Sequence, residues 1–337
     1  MLAVIGDIYS ERVFNVVDAG EESTARPQRA GISQGCPLSP FLFGMVITVL
    51  MTDARDLLSA GAKTACANGG LEDVLFADDT LLIGSCSAHI EEYMAAVERC
   101  GLDYGLQLHW GKTQLVSVGA TGRVRTPQGD EITVSDSLVY LGSTVHRNGK
   151  FACEVARRIG IASSAFKGLR VVWQSRSVSM SRKIALLDSF VLSRLRYGVA
   201  SACLSKPDLR RLDGFHVNCL RKLLKIPPSY VSRVSNERVR QKAGQQPLST
   251  SVRKSQLNFL GQVLTNSAKK TLKHVAFHNG DVMTPTTAAF VRRVGRPRQN
   301  WTEQLVALMR PTAPSLQQWL QITQSPELWS AAVARVL

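Results

Sequence analysis

The chain has 337 residues, of which 45% are hydrophobic and 20% are charged. This composition is typical of one large folded domain or two domains, and it excludes a disordered chain. The net charge is +15, but residues 1–150 carry −7 and residues 151–337 carry +22. The basic second half predicts a polyanionic partner, with nucleic acid first and an anionic membrane second.

The sequence contains neither a membrane span nor a secretory signal. The longest apolar run, Phe41–Met51, is shorter than the roughly 20 residues that a bilayer requires. The apolar start Met1–Ile5 is not preceded by a basic segment, as a secretory signal would be. The seven cysteines form no C-x-x-C pair, and we interpret them as reduced thiols of an intracellular protein.

The first 40 residues predict a short helix, a strand that ends at Val17, and a loop or hairpin connection over Asp18–Gln28. The loop Gly31–Pro40 follows, and its two glycines and two prolines exclude a helix interior. Ser39-Pro40 is typical of an N-cap followed by proline at the first helical position, and it predicts a buried helix over Phe41–Leu58. Gln34 and Gly35 lie at the mouth of this loop, which is either a ligand-binding loop or a structural connection.

The segment Val74–Gly84, VLFADDTLLIG, predicts a short hairpin with buried strands and two carboxylates at its tip. An ordinary Asp-rich turn has the same pattern. However, Asp78 and Asp79 repel each other, and a divalent cation would make such a pair favourable. Mg²⁺ is typically held by one or two carboxylates together with substrate phosphates, so the tip is a candidate metal site.

The segment after this hairpin alternates between helix and strand signals. Ala88–Tyr104 predicts an amphipathic helix with Ile90, Met94, Val97 and Leu102 on one stripe. A turn leads to a strand over Gln114–Val118, and the polar stretch Gly119–Asp130 predicts a hairpin turn before strand-like residues within Thr133–Val145. Lys112 lies in the first turn, either as a phosphate contact or as a solvated surface lysine.

From residue 151 the apolar spacing becomes helical, as in Val155, Ile159, Ala162 and Phe166. Lys183–Tyr197 and Asp208–Ile226 repeat the pattern, and Pro227-Pro228 ends the latter. The outer face of Asp208–Ile226 is predicted to carry five basic residues: Arg210, Arg211, Arg221, Lys222 and Lys225. A solvated surface is the alternative to nucleic-acid binding, but 30 basic against 8 acidic residues after residue 150 makes it the poorer interpretation.

Four motifs occur in a fixed order: GISQGCPLSP from Gly31, FADD from Phe76, GLQLHWGKT from Gly105 and YLGSTV from Tyr140. Their order and spacing resemble the reverse transcriptases of non-LTR (LINE-type) retrotransposons. The resemblance extends through LRYG at Leu195–Gly198 and GRPRQNW at Gly295–Trp301, and so covers most of the chain. Group II intron enzymes share the first motifs but resemble the later ones less.

The resemblance implies a role for each matching residue. Asp78 and Asp79 match the metal-binding and catalytic pair, with Mg²⁺ as the cofactor and Mn²⁺ as its alternative. Gln34 and Gly35 match the loop against the template and incoming nucleotide, and Lys112 matches a lysine near the nucleotide phosphates. Tyr140, Leu141 and Gly142 match the hairpin that grips the primer end. The partners implied are an RNA template, a DNA primer and a deoxynucleotide, and a nuclear location of the parent element is implied as well.

The expected fold is α+β. We expect a partial polymerase palm, an antiparallel sheet with packed helices, over residues 1–150. A basic helical thumb should follow over 151–243 and a helical or irregular tail over 244–337. The family has fingers and a further metal-binding aspartate upstream of the segment that matches Ile5–Val17. We expect these parts before Met1, with Asp7 and Asp18 as weak substitutes.

The functional hypothesis is thus a fragment of an RNA-directed DNA polymerase that uses two-metal nucleotidyl transfer in its parent protein and is inactive alone. A non-catalytic nucleic-acid-binding remnant of a retroelement is the alternative. A third carboxylate at the metal site would favour catalysis. An unrelated basic helical scaffold would leave the ordered motifs without explanation.

Overall fold

The computed structural model describes residues 2–28, 30–119, 122–265, 270–277 and 300–337. The chain divides into two units, residues 1–141 and residues 142–337. Helices combine with small two-stranded sheets, which agrees with the predicted α+β class. Within the described residues, no helix is both long enough and apolar enough to cross a bilayer.

The first unit contains four helices and seven short strands among its described residues. The helices are α1 Leu2–Tyr9, α2 Ser39–Asp56, α3 Ala60–Ala67 and α4 Ser87–Asp103. The strands are β1 Val13–Phe14, β2 Val17–Asp18, β3 Glu21–Glu22, β4 Arg26–Pro27, β5 Leu71–Phe76, β6 Asp79–Gly84 and β7 Ser137–Tyr140.

Strands β1 to β4 form the hairpin connection that the sequence predicts after α1. Strand β2 pairs with β3, and β1 pairs with β4, both antiparallel, so one hairpin is nested within the other. The chain therefore turns back on itself before it enters the loop that leads to α2.

Helix α2 begins earlier and is less buried than predicted. Its N-cap is Leu38, and Ser39 is already helical, with its hydroxyl donating to the carbonyl of Ser33. The C-terminal half is buried through Leu50, Met51 and Ala54. The prediction of a wholly buried helix is wrong, because Phe41 and Met45 in the first turns are 70% and 65% exposed. Apolar character alone does not show which part of a helix other elements cover.

The core of the first unit forms between α2, α3, β5 and α4. Tyr93 of α4 is completely buried among Leu50, Ala54, Ala62 and Leu71. Met94 and Val97 face inward as predicted, whereas Leu102 near the end of α4 is exposed, which differs from the prediction. Core packing thus fixes α4 beneath the β5–β6 hairpin.

The segment between α4 and β7 has little regular structure. A 3₁₀ turn covers Trp110–Lys112, and the predicted strand over Gln114–Val118 reduces to one bridge between Leu115 and Val134. Leu115 packs on Val124 and Ile132 below α4, and a single bridge gives no ladder that would extend the strand. The predicted hairpin turn is present, since Ile132 N donates to Val124 O and Thr126 N to Asp130 O.

Among its described residues, the second unit is helical apart from one strand, β8 Ser143–His146. Its described helices are α5 Ala152–Gly168, α6 Arg170–Gln174, α7 Met180–Leu186, α8 Ser193–Arg196, α9 Lys206–Leu223, α10 Ser229–Ser232, α11 Asn236–Ala243, α12 Leu248–Thr265, α13 Lys270–Ala276, α14 Trp301–Met309, α15 Leu316–Ile322 and α16 Pro326–Val336. A π-helical segment, Leu187–Leu192, joins α7 to α8.

Two hydrophobic cores hold this unit together, and α12 contributes to both. The first lies among α5 to α12, where Phe166 stacks on Trp173 with ring centroids 5.1 Å apart. The second lies among α12 to α16, where Trp319 meets Trp329 edge to face at 5.9 Å. The described part of the predicted tail is therefore packed helix. The basic segment Arg292–Arg298 lies outside the described residues.

Candidate metal and nucleic-acid site

The carboxylate pair lies at the turn of the β5–β6 hairpin. Phe76 pairs with Asp79, so Ala77 and Asp78 form the two-residue turn and Asp79 begins β6. Ala77 adopts φ +53°, a left-handed conformation that is uncommon for residues other than glycine and is often found at functional sites. Asp78 and Asp79 are both exposed, so their oxygens are accessible to a ligand.

The hairpin strands are only half buried, which corrects the prediction of buried strands. Leu71, Leu75 and Leu82 pack in the core, whereas Phe76 and Ile83 face outward. The reason is that α4 covers one face of a sheet of only two strands. Each strand therefore alternates between a covered and an open face.

A polar network fixes the middle of β5 to the helices. The Tyr93 hydroxyl donates to Asp73 Oδ1 at 2.8 Å, and Arg55 donates to the same oxygen at 2.5 Å and to the Tyr93 hydroxyl at 3.0 Å. Burial, followed by the hydrogen bond and charge of Asp73, raises the pKa of Tyr93. The network joins α2, β5 and α4, and so holds the strand that leads to the carboxylate turn.

A cavity of about 410 Å³ adjoins this turn. Its polar lining comes from three separate segments: Asp78 and Asp79, His109 and Lys112, and Tyr140. The apolar lining includes Leu82, Met94, Val97, Leu108, Val124 and Ile132. The structure therefore brings together four of the residues predicted from the motifs: Asp78, Asp79, Lys112 and Tyr140.

Two contacts determine where Lys112 and Tyr140 lie. The Trp110 indole donates to Glu98 Oε1 of α4 at 2.8 Å, which anchors the 3₁₀ turn that carries Lys112. The Tyr140 hydroxyl donates to the Val74 carbonyl at 3.1 Å. Burial and then the negative charge of Asp79 raise the pKa of Tyr140.

The other residues predicted from the motifs do not line the cavity. Gln34 and Gly35 are exposed in the loop before α2, where Gly35 has φ +88°. Leu141 has φ +46° and Gly142 has φ +71°, as required at the two central residues of a tight hairpin turn. The structure thus gives each of these residues a defined backbone setting, outside the cavity.

Comparison with known proteins shows which family the first part of the chain resembles. Residues 4–145 match the family described as reverse transcriptase (RNA-dependent DNA polymerase). Alignments relate the chain to the Pol polyprotein of the type-1 retrotransposable element R2 of Popillia japonica, with 24% identity over 189 residues and 23% over 251 residues. Residues 4–145 are therefore similar in sequence to a reverse transcriptase domain, and two of the relatives are Pol polyproteins of a retrotransposable element.

The similarity covers only part of these relatives. The two R2 alignments cover 55% and 71% of this chain, but 26% and 39% of the polyproteins. A transposon-derived protein of Caenorhabditis elegans is 28% identical over 46% of this chain and 57% of its own length. The chain thus matches between a quarter and just over half of these relatives.

The carboxylate pair fits part of a Mg²⁺ site. Asp78 and Asp79 supply hard carboxylate oxygens, and Mg²⁺ commonly takes one or two protein carboxylates and completes its shell with water and phosphates. Among the described residues, no three His, Cys, Asp or Glu side chains are close enough to hold a metal ion. Asp7 and Asp18 are exposed and do not complete such a group.

Helix α9 carries most of the basic residues predicted for nucleic-acid binding. Arg210, Arg211, Lys222 and Lys225 are exposed. The outward position predicted for Arg221 is wrong, since this residue is 5% exposed and donates to the carbonyls of Pro227 and Val234 at 2.9 and 2.7 Å. The chain after α9 turns back towards the helix, and the Arg221 guanidinium donates to carbonyls of this returning segment. Periodicity within the helix could not show such a contact.

The prediction from sequence missed a cluster at the start of the second unit. Glu154 of α5 is buried and accepts hydrogen bonds from Arg157 and Arg158, and both arginines also donate to the Gly142 carbonyl. The i, i+3 and i+4 spacing of the three charges predicts ion pairs along a helix. No local pattern predicts that the same arginines reach the hairpin turn.

Proposed function

We propose that the reverse transcriptase domain acts in RNA-templated DNA synthesis as part of a polymerase. Asp78 and Asp79 bind Mg²⁺ or Mn²⁺, Lys112 binds nucleotide phosphates, and Tyr140, Leu141 and Gly142 contact the primer end. Gln34 and Gly35 lie against the template and the incoming nucleotide. The observation that carries the proposal is the shared cavity of Asp78, Asp79, Lys112 and Tyr140, which combines anionic metal ligands with a cation for phosphate.

The chemistry follows from these charges. A bound divalent ion would neutralise charge that develops on the phosphates during nucleotidyl transfer. Lys112 supplies a positive charge for the phosphates at the same cavity. Tyr140, fixed through Val74, limits the positions that a primer end can take beside Asp79. Such positioning contributes a large part of the rate in phosphoryl transfer.

In this proposal, the second unit is a thumb that holds an RNA–DNA duplex through its positive charge. Residues 151–337 carry a charge of +22. Arg210, Arg211 and Lys222 expose positive charge on α9, and Lys225 does so just after its end. Contacts of this kind bind phosphate without regard to base sequence. The logarithm of the binding constant should therefore fall with the logarithm of salt concentration by about 0.9 per phosphate contact on a duplex.

We expect residues 1–337 to bind a primer–template but not to extend it. Asp78 and Asp79 are the acidic residues among the described lining of the cavity, and two-metal catalysis needs ligands that fix both ions. Each 1.36 kcal/mol of lost transition-state stabilisation lowers the rate about tenfold. That Asp78 and Asp79 are the acidic residues of the described lining also favours a second candidate function, which is nucleic-acid binding without catalysis.

Primer extension on an RNA template separates these functions. Residues 1–337 are compared with a longer protein in which the upstream segment of a related reverse transcriptase precedes them, each with and without Asp78→Asn. Extension by the longer protein that Asp78→Asn abolishes supports the polymerase role. Extension by neither protein, together with salt-dependent duplex binding, supports the non-catalytic role. Binding that does not respond to salt would contradict both functions.

A further inference from the structure

A buried carboxylate organises two arginines beside the turn at Gly142. Glu154 is only 3% exposed and accepts four hydrogen bonds. Its donors are Thr144 N at 3.0 Å, Arg157 Nε at 2.9 Å, Arg157 Nη2 at 2.8 Å and Arg158 Nε at 2.6 Å. Nη2 of each arginine also donates to the carbonyl of Gly142. The guanidinium groups are therefore held in fixed orientations at the start of β8.

The two arginines differ in what remains available to a ligand. Arg158 is buried and its guanidinium lies over the Tyr197 ring, 4.5 Å from the centroid. The Arg157 side chain keeps 33% of its surface exposed, and its Nη1 has no hydrogen-bond partner in the described part of the chain. Arg157 thus combines an oriented guanidinium with an unused donor group.

The charge of the cluster favours an anion. Two guanidinium groups share one carboxylate, which leaves one positive charge in excess. Lys150, four residues before Glu154 in the sequence, is exposed. An arginine that is already fixed loses little side-chain entropy when it binds a phosphate, and its planar fork suits phosphate oxygens. The Gly142 carbonyl is occupied by both arginines, so the group that this turn offers to a nucleic acid is the guanidinium.

We infer that Arg157 binds a backbone phosphate of the primer strand at this turn, with Glu154 as the residue that positions it. The inference rests on the proposed function, in which Gly142 belongs to the turn that contacts the primer. It adds a specific phosphate contact that neither the motifs nor the charged face of α9 indicate.

A double-mutant cycle between protein and primer tests this contact. RNA–DNA primer–templates carry a single uncharged methylphosphonate at each primer position near the 3′ end in turn. Their dissociation constants are measured with wild-type residues 1–337, Arg157→Gln, Arg157→Lys and the control Arg170→Gln. Arg170 is an exposed arginine of the same unit, at the start of α6.

With the wild type, neutralising one primer phosphate should weaken binding. Arg157→Gln should weaken binding by itself, lower the salt dependence by about one phosphate contact, and remove the effect of that methylphosphonate. Arg157→Lys keeps the charge but not the fork held by Glu154, so it should also lose the coupling. Arg170→Gln should keep the full coupling at that phosphate.

Three results would overturn all or part of the inference, and they are distinguishable. If the wild type binds the duplex but the effects of Arg157→Gln and of every methylphosphonate are additive, the phosphate contact is wrong and the proposed function stands. If the wild type does not bind the primer–template in a salt-dependent manner, the proposed function and the inference fail together. Retained coupling in Arg157→Lys would overturn the role given to Glu154.

Discussion

The Tyr140 hydroxyl donates a 3.1 Å hydrogen bond to the Val74 carbonyl, which joins the end of β7 to the strand before the carboxylate turn. Burial raises the pKa of Tyr140 above its ordinary value of 10, and the charge of Asp79 raises it further. We expect Asp79→Asn to lower the pKa of Tyr140, because the carboxylate no longer opposes the phenolate. NMR titration of labelled tyrosine measures this pKa, with Tyr140→Phe to assign the signal.

Asp78→Asn is the matched control for this prediction. The charge of Asp78 does not contribute to the raised pKa of Tyr140, so Asp78→Asn should leave this pKa nearly unchanged. Equal effects of the two substitutions would contradict the specific proximity of Tyr140 and Asp79.

Two glycines in the helical unit predict opposite effects of alanine. A Cβ at Gly261 in α12 would clash with the indole of Trp329, which is buried and donates to the Leu257 carbonyl. Gly261→Ala should lower the free energy of unfolding by about 1–3 kcal/mol through overpacking. At Gly214 in α9 a Cβ would meet no atom within 4 Å, and Gly214→Ala should raise it by about 0.5–1 kcal/mol. Chemical denaturation measures both, and destabilisation of equal size would contradict the packing described at Trp329.

Much of the fold was predictable because it depends on local periodicity. The spacing of Val155, Ala162 and Phe166 predicted α5, and all three residues are buried. The apolar runs around Asp78 and Asp79 predicted the hairpin and its turn, since a run of this length between turn residues has few alternatives. The division at Leu141–Gly142 falls inside the hairpin turn, where periodicity gives no signal.

The features that sequence missed depend on long-range contacts. Phe41 and Met45 are as apolar as Leu50 and Met51, and only the position of α4 decides which pair is buried. Arg221 has the same spacing as the exposed basic residues of α9, yet the carbonyls of Pro227 and Val234 draw it inward. At the candidate site, the motifs predicted Lys112 and Tyr140 as functional residues. Only the structure shows that both line the same cavity as Asp79.

Glu154 predicts a loss of stability in acid. Burial opposes its ionisation, but hydrogen bonds from Arg157, Thr144 and Arg158 outweigh burial and lower its pKa from 4.5 to about 2. The folded form therefore favours the ionised carboxylate, and this stabilisation is lost as the pH falls from about 4.5 to about 2. At 1.36 kcal/mol per pKa unit, the contribution at neutral pH is about 3 kcal/mol.

The variant Glu154→Gln should lower the free energy of unfolding at neutral pH and flatten its dependence on pH in the acidic range. Denaturant titrations across this range measure both effects. The exposed Glu237 of α11 provides a control, and Glu237→Gln should change stability by no more than about 0.5 kcal/mol. A pH dependence that is unchanged in Glu154→Gln would show that Glu154 is not responsible for it.

His216 predicts a second pH dependence at higher pH. It is buried in α9, and neither ring nitrogen has a hydrogen-bond partner among the described residues. Burial lowers the pKa of His216 below 6.5, although Asp213 opposes the change. Below about pH 6.5, His216 takes up a proton in the unfolded chain but resists protonation in the folded protein. The free energy of unfolding therefore decreases as the pH is lowered. His216→Phe, which keeps a ring of similar size, should reduce this fall in denaturant titrations. A steeper fall in the variant would contradict the neutral state of His216.

The carboxylate turn predicts weak binding of a divalent cation. Asp78 and Asp79 are adjacent and exposed, so a cation bound to both would relieve their repulsion. Because two carboxylates supply only part of a coordination shell, the dissociation constant for Mn²⁺ should be about millimolar in the absence of nucleotide phosphates. Paramagnetic broadening of NMR signals from the turn measures the binding, which the double substitution Asp78→Asn with Asp79→Asn should remove.

The matched control is Asp7→Asn with Asp18→Asn, which removes two exposed carboxylates of the same unit and should leave Mn²⁺ binding unchanged. Equal binding by the wild type and the Asp78 and Asp79 double variant would rule out the turn as the metal site. Loss of binding in the control would show instead that Asp7 or Asp18 contributes a ligand.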